Sequence, residues 1–231
     1  MDISKETLIR TSVQEMILNG QLAPGDKLPS ENQLADQFKS KRIDARNALV
    51  QLEKMGSVHS RQGVGRFVNR PLPVIDFTVT GASSFSKKME AQNIPYESKV
   101  IHADYTDEMT FEGKKAFKVS RLRIVDNVPC AIHISYIRTD IFPNIYEEKN
   151  QLQSVYTFFE SKGHTNLTSR DRTVSAQFAT LEVMEMLKCS ELVPLIVFET
   201  STYDTSTNQC LEKVKILYRS DLFKHKLSDE G

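Results

Sequence analysis

Between Lys5 and Asn19 the apolar residues Leu8, Ile9, Val13, Met16 and Ile17 return at three- and four-residue spacing, with Arg10, Gln14 and Glu15 between them. That period predicts a helix with one inward stripe, ended by Gly20. Leu22 to Pro29 carries two prolines, a glycine and an aspartate, so it turns rather than continuing the helix. Ser30 followed by Gln33 has the spacing of a capping box, and Leu34, Ala35 and Phe38 supply the inward face of a second helix. After a short break at Lys39-Ser40, a third helix runs to about Met55 on Ala45, Ala48, Leu49 and Leu52, with Gly56 as its stop. Ser57–Gln62 and Arg66–Val68 then read as two short strands around Gly63-Val64-Gly65. Two tightly joined helices followed by a hairpin predict a winged helix-turn-helix over residues 1–70.

Beyond it, Arg70-Pro71-Leu72-Pro73 opens a stiff linker assigned to 71–80. A helix is predicted from Ala82 to Gln92, capped by Ser83 or Ser84, with Phe85 and Met89 inward. Period-two alternation follows over Tyr96–Tyr105, Ala116–Val125 and Cys130–Arg138, the last two joined by the turn Asp126-Asn127-Val128-Pro129. Gln153–Lys162 and Ala179–Lys188 read as helices, while Thr168–Gln177, Pro194–Tyr203 and Cys210–Tyr218 read as strands, the last pair a hairpin. Residues 81–231 therefore form a second domain, and the fold class is α+β.

Composition narrows the function. In 231 residues, 39% are apolar and 26% charged, and no run approaches the 18 apolar residues of a membrane span. Met1–Glu6 lacks the apolar core of a secretion signal, so no membrane partner is expected and the location is cytoplasmic. Three scattered cysteines, Cys130, Cys189 and Cys210, form no pair and read as reduced packing residues. The net charge of zero hides an asymmetry: Lys39–Arg70 holds 8 Lys and Arg against 2 Asp and Glu. Such a stretch fits either a phosphate footprint or an ordinary solvated face.

The third helix sharpens that choice. Its outward residues include Arg42, Arg46 and Asn47, with Lys39 and Lys41 at its start, where helix amides also favour anions. Arg61 and Arg66 flank the hairpin, whose glycines let backbone approach DNA closely. The candidate DNA-contacting set is Ser30, Lys41, Arg42, Arg46, Asn47, Arg61, Gln62, Gly63 and Gly65; Arg42 and Arg46 could instead pair with Asp44, Glu53 or solvent. In the second domain the five histidines show no ligand spacing, and no phosphate loop or nucleophile elbow is present, so no metal, cofactor or catalytic residue is assigned. Arg121-Leu122-Arg123 puts two guanidinium groups on one strand face, a spacing that fits two solvent-facing arginines on a half-exposed sheet and also suits bidentate capture of an anion. His133 reads either as a packed strand histidine or as a ligand contact.

These residues also carry a resemblance. The run Gly20-x-Leu22-x-Pro24-Gly25-Asp26-Lys27-Leu28-Pro29-Ser30-Glu31-x-x-Leu34-Ala35, then Arg42-x-x-x-Arg46-x-Ala48-Leu49-x-x-Leu52-Glu53-x-x-Gly56, then Arg61-Gln62-Gly63-x-Gly65-x-Phe67-Val68 is similar to the N-terminal domain of the GntR family of bacterial repressors. It implies that Arg42 and Arg46 act from the recognition helix and that Gln62 and Gly63 form a wing tip entering the minor groove. Asn32, Lys41, Ile43 and Asp44 depart from the family pattern; Asp44 would repel phosphate yet could accept from a cytosine amino group.

Ser84-Phe85, Arg121-Leu122-Arg123, Val128-Pro129, Ser135-Tyr136, Ser154-Val155-Tyr156 and Tyr218-Arg219-Ser220-Asp221 resemble the effector-binding UTRA domain of the HutC subfamily, with its chorismate lyase-like fold. That resemblance implies that Ser84, Arg121, Arg123, Ser154 and Tyr156 hold a phosphate and that Tyr218 lines the sugar end. His133 stands where several members carry Glu. Together the two resemblances imply a homodimeric repressor on double-stranded, pseudo-palindromic operator DNA, released by a small effector such as a phosphorylated sugar. A lyase-like enzyme fused to a DNA-binding domain, or a constitutive DNA binder without ligand, are the alternatives that the residues leave open.

Overall fold

In a computed structural model, residues 3–69, 75–78 and 84–226 are described. The chain gathers into two compact units, Met1–Pro73 with Cys189–Val193, and Val74–Lys188 with Pro194–Gly231. The Arg70–Pro73 linker and Ser83, the alternative helix cap, lie outside the described residues.

The first unit opens with α1 (Lys5–Leu18), α2 (Glu31–Phe38) and α3 (Arg42–Lys54), followed by the hairpin β1 (Val58–Arg61) and β2 (Gly65–Val68). Ile9 and Val13 of α1, Leu34 and Ala35 of α2, and Ala45, Ala48, Leu49 and Leu52 of α3 share one core with Val58 and Val68. Leu8 departs from its expected place: it is exposed while Arg10 is half-buried, because the stripe of α1 centres on the i, i+4 pair Ile9 and Val13. The capping box at α2 is formed, with Gln33 N–H donating to Ser30 Oγ at 3.3 Å and Ser30 N–H to Gln33 Oε1 at 2.8 Å. The segment before α2 runs along β2, Leu28 N–H donating to the Arg66 carbonyl and Val68 N–H to that of Asp26, both at 2.9 Å.

In the second unit β3 (Ile75–Thr78) pairs in parallel with β10 (Phe223–Lys226), so the segment read as linker contains a strand. Four residues are too few for an alternating pattern to stand out, and their partner lies at the other end of the chain. Between them come α4 (Phe85–Ala91), β4 (Tyr96–Phe111), β5 (Lys114–Val125), β6 (Val128–Arg138), α5 (Val155–Ser161), β7 (Leu167–Phe178), α6 (Leu181–Leu187), β8 (Pro194–Asp204) and β9 (Gln209–Arg219). Strands β4 to β9 form one antiparallel sheet in the order β4-β5-β6-β9-β8-β7. The β5–β6 turn is tighter than the sequence suggested: Asp126 and Asn127 alone have positive φ, 48° and 63°, and Val128 and Pro129 already belong to β6.

One face of β5 carries Phe117, Val119, Arg121 and Arg123 in alternation. Phe117 and Val119 pack under α5, against Val155, Phe158 and Phe159, in a core shared with Phe142 and Leu152. The same face, two residues further along, changes from apolar to cationic at Arg121, and there the core gives way to a cavity. No helix among the described residues is long and apolar enough to cross a membrane.

Candidate nucleic-acid interface and ligand cavity

On the winged unit, Lys41 caps α3, and Arg42, Arg46 and Asn47 are exposed along it. Arg61, Gln62 and Gly63 are exposed at the hairpin tip, where Val64 N–H donates to the Arg61 carbonyl at 3.0 Å. Gly63 (φ +71°) and Gly65 (φ +136°) hold the turn in conformations that a side chain disfavours. The Arg61 guanidinium lies over the Phe67 ring at 4.5 Å, a cation–π contact that holds the charged head beside the hairpin while the residue stays exposed.

Three neighbouring charges are used differently from expectation. Asp44 turns its carboxylate back onto its own helix, accepting from Lys41 N–H at 3.0 Å, so it caps α3 instead of facing a base. Arg66 is half-buried and pairs with Glu31 at 3.2 Å and Glu53 at 3.5 Å, which neutralises it as a phosphate anchor. Arg42 pairs with Glu31 at 3.0 Å, yet its side chain stays 72% exposed. Glu31 thus ties α3 to the hairpin. Burial would raise its carboxyl, but the hydrogen bonds from Arg66 and Arg42 outweigh that and hold it below the usual carboxylate range.

In the second unit Ser84, Arg121, Arg123, His133, Ser154, Tyr156 and Tyr218 all line one cavity. The sheet explains the convergence. Arg121 of β5 pairs in register with His133 of β6, which pairs with Ile216 of β9, so directly opposed side chains share a face. Ser84 and Ser154 are the N-caps of α4 and α5, their oxygens accepting from Lys87 N–H at 3.2 Å and Thr157 N–H at 3.3 Å. Each therefore keeps a hydroxyl hydrogen to donate.

The burial of the two arginines removes the solvent-facing reading: Arg121 is 4% and Arg123 2% exposed. Arg121 donates to Ser135 Oγ at 2.7 Å, and Arg123 to the Gln153 carbonyl at 3.1 Å while lying 5.1 Å from the Phe85 ring. Burial pushes Arg121 down to about 10, with Glu212 opposing, and pushes Arg123 down to about 9, with Arg121 adding to the effect. Both remain charged at neutral pH. The Nε atoms of both arginines and His133 Nε2 are buried without a hydrogen-bond partner, and all three belong to lining residues. Burial first, then the fields of Arg123, Arg121 and Lys88, hold His133 far below its usual pKa, so the ring is neutral. It sits edge-on to Phe85 and Tyr218, at 5.3 and 5.7 Å. Burial likewise raises the Tyr218 and Tyr156 hydroxyls, keeping both protonated.

Lining residues outside the expected set include Lys88, Ser169, Arg172, Thr202 and Glu212. Lys88 follows Ser84 by one helical turn, and Glu212 alternates with Val214, Ile216 and Tyr218 along β9, so period alone could have found both. Glu212 is fully buried, accepts from Thr202 Oγ1 at 2.9 Å, and has its carboxyl raised by burial against the opposing charge of Arg121. Among the described residues no group of three or more His, Cys, Asp or Glu converges as a metal site.

Comparison with known proteins agrees with this division. Residues 7–68 match the model of bacterial regulatory proteins of the gntR family, and residues 87–224 match the UTRA domain. The chain is 27% identical over 237 residues to the HTH-type transcriptional repressor NagR of Bacillus subtilis, covering 96% of each chain. It is 24% identical over 196 residues to the mannosyl-D-glycerate transport/metabolism system repressor MngR of Escherichia coli, covering 81% of this chain and 80% of MngR. In fold it resembles the crystal structure of PhnF from Mycobacterium smegmatis, with a TM-score of 0.56, 22% identity, and coverage of 96% of this chain and all of that one. A winged helix-turn-helix joined to a six-stranded sheet domain that houses this cavity, matched over both parts, places the chain in the gntR family of bacterial regulatory proteins, with a UTRA domain as its C-terminal part.

Proposed function

We propose that the protein is a cytoplasmic, homodimeric repressor that binds a palindromic operator through its winged helix and leaves it when a phosphorylated sugar enters the UTRA cavity. The observation that carries this reading is the pair Arg121 and Arg123, buried side by side in a cavity whose walls otherwise supply mostly hydroxyl and aromatic groups. Two like charges out of water are tolerated where an anion visits them. Ser84, Arg121, Arg123, Ser154 and Tyr156 hold the phosphate, and His133 and Tyr218 face the sugar. The repressor names of NagR and MngR support the direction of control.

On DNA, the exposed Arg46 and Asn47 read base edges in the major groove, Arg42 and Lys41 take phosphate or guanine, and the Gln62-Gly63 tip enters the minor groove, with Arg61 and Gly65 shaping the hairpin and Ser30 fixing the start of α2. The effector stabilises a conformation with lower operator affinity, and repression falls by mass action.

The test combines two measurements on the full chain. A sugar phosphate at a hundred times its dissociation constant should stabilise the protein by about 2.7 kcal/mol and, in the same range, lower operator affinity in a fluorescence-anisotropy titration. A melting temperature unmoved by inorganic phosphate and by a panel of sugar phosphates sinks the ligand-responsive reading. Turnover of any of those compounds points to an enzyme instead.

A further inference from the structure

Leu28 N–H donates to the Arg66 carbonyl, Val68 N–H to that of Asp26 and Gly25 N–H to that of Val68, each at 2.9 Å, and Lys27 faces Phe67 in an antiparallel bridge. The stretch before α2 is therefore a third ribbon along the free side of β2. Alternation sorts the side chains of this wing into two faces. One carries Leu28, Val58, Ser60, Arg66 and Val68. Its apolar members are buried in the core of the unit, Arg66 pairs with Glu31 and Glu53, and Ser60 also donates to Glu53. The other face carries Lys27, His59, Arg61, Gly65 and Phe67, and there Lys27 and Arg61 are both exposed.

On that outer face Gly65 makes room. A Cβ built on it would stand 2.9 Å from Lys27 Cε and 3.7 Å from Nζ, so the lysine stem lies across the hairpin where any other residue would place its side chain. Lys27 thereby joins a groove lined also by Ser30, Asn32, Arg42 and Gly65, where the start of α2, the start of α3 and the wing meet. Its charge is unmatched. Arg42 and Arg66 share Glu31, whereas no carboxylate among the described residues pairs with Lys27, and the adjacent Asp26 turns away to accept from Ala23 N–H at 2.8 Å.

Resting on the reading that the winged unit binds DNA, we infer that Lys27 is a further contact of that interface and holds a backbone phosphate beside the wing, the task from which Glu31 and Glu53 withdraw Arg66. A lysine suits this role, since its ammonium is a compact charge whose donors turn freely and ask for no base geometry. The contact adds affinity without sequence preference, so it operates on any duplex. Gly65 then has two tasks, the turn of the hairpin and clearance for the lysine stem.

Fluorescence anisotropy of the full chain with a random-sequence duplex of about 30 base pairs, repeated between about 50 and 200 mM salt, tests this. Each phosphate contact contributes about 0.9 to the slope of log affinity against log salt. Lys27→Gln should reduce the magnitude of that slope by at least about 0.9 and weaken binding about threefold or more at the lowest salt, with the melting temperature unchanged. Lys27→Arg, which keeps the charge, should retain the slope. Lys99→Gln removes the same charge from an exposed position of the second unit and should leave the slope as it is. An unaltered slope in Lys27→Gln, or an equal fall in Lys99→Gln, overturns the contact while leaving DNA binding by the winged unit intact. If the unmodified protein binds no duplex at the lowest salt, the DNA-binding reading fails and the contact with it.

Discussion

Arg123→Met separates the stability of the cavity from its function, because the two should move in opposite directions. The guanidinium is 2% exposed, its charged neighbour is Arg121, and its hydrogen bond goes to a neutral carbonyl, that of Gln153. Holding it at about 9 instead of 12.5 corresponds to a charge-burial penalty on the order of 4–5 kcal/mol, at about 1.4 kcal/mol per pH unit. Losses on substitution partly offset that gain. The Gln153 carbonyl keeps a second donor, Ser98 Oγ at 2.8 Å, so the missing hydrogen bond costs about 1–2 kcal/mol, and the contact over Phe85 about 1–2 more. Methionine fills a similar volume with no charge. The net expectation is a ligand-free protein more stable by up to about 3 kcal/mol, which for a chain of this size raises the melting temperature by up to roughly 12 °C. The stabilisation that a sugar phosphate adds should vanish in the same protein. Thermal melts followed by circular dichroism, with and without ligand, read both quantities. A variant that melts lower than the parent refutes the charge-burial reasoning, and one that keeps the ligand-induced shift refutes the placement of the phosphate.

Three further outcomes are expected. Arg46→Ala, at an exposed position of α3, should weaken operator binding by about 1–3 kcal/mol with the melting temperature unchanged, and full affinity in an anisotropy titration removes Arg46 from the interface. Gly65→Ala forces a side chain into φ +136°, where its Cβ would also meet Lys27 Cε at 2.9 Å; the lysine can swing away, so the backbone dominates at about 1–3 kcal/mol. Faster amide exchange across Arg61–Val68 and weaker DNA binding should accompany it, and unchanged exchange contradicts the strain. His133 adds a pH dependence: between its lowered folded pKa and the unfolded value near 6.5, the unfolded chain holds the extra proton. Stability should therefore fall as pH drops below about 6.5, by up to about 1.4 kcal/mol per pH unit, and His133→Asn should flatten that slope in urea titrations between pH 5 and 7.5. Parallel slopes mean that the ring is already charged or solvated in the folded state.

Much of the winged unit was legible because its determinants are local. Ser30 and Gln33 lie three residues apart and cap each other, Ala45, Ala48, Leu49 and Leu52 repeat at the helical period, and Gly63 and Gly65 mark a turn that only a few backbone conformations satisfy. Charge partners were less legible. Arg42 and Arg66 both find Glu31, 11 and 35 residues away in sequence, and Arg66 is thereby neutralised although it looks like a free cation beside the wing. Asp44 looked like a base reader and serves as a cap, since a carboxylate three residues into a helix can reach back to the first free amides.

In the sheet domain, period two placed Arg121 and Arg123 on a common face but could not say whether water or protein lay over that face. That depended on α4 and α5 folding back across strands β5 to β9, and on register among strands far apart in sequence. Arg172 is the sharpest case: reading alternation through β7 turns it away from the cavity, and a single extra residue opposite Thr200 turns it in. The amino-acid sequence by itself thus determined the elements, the winged helix and the identity of the two buried arginines as a pair, because those follow from short-range spacing. Tertiary structure alone decided that the arginines are buried, that Arg172 lines the same cavity, and which carboxylates silence which cations, because each rests on contacts between residues whose separation along the chain carries no information about their distance in space.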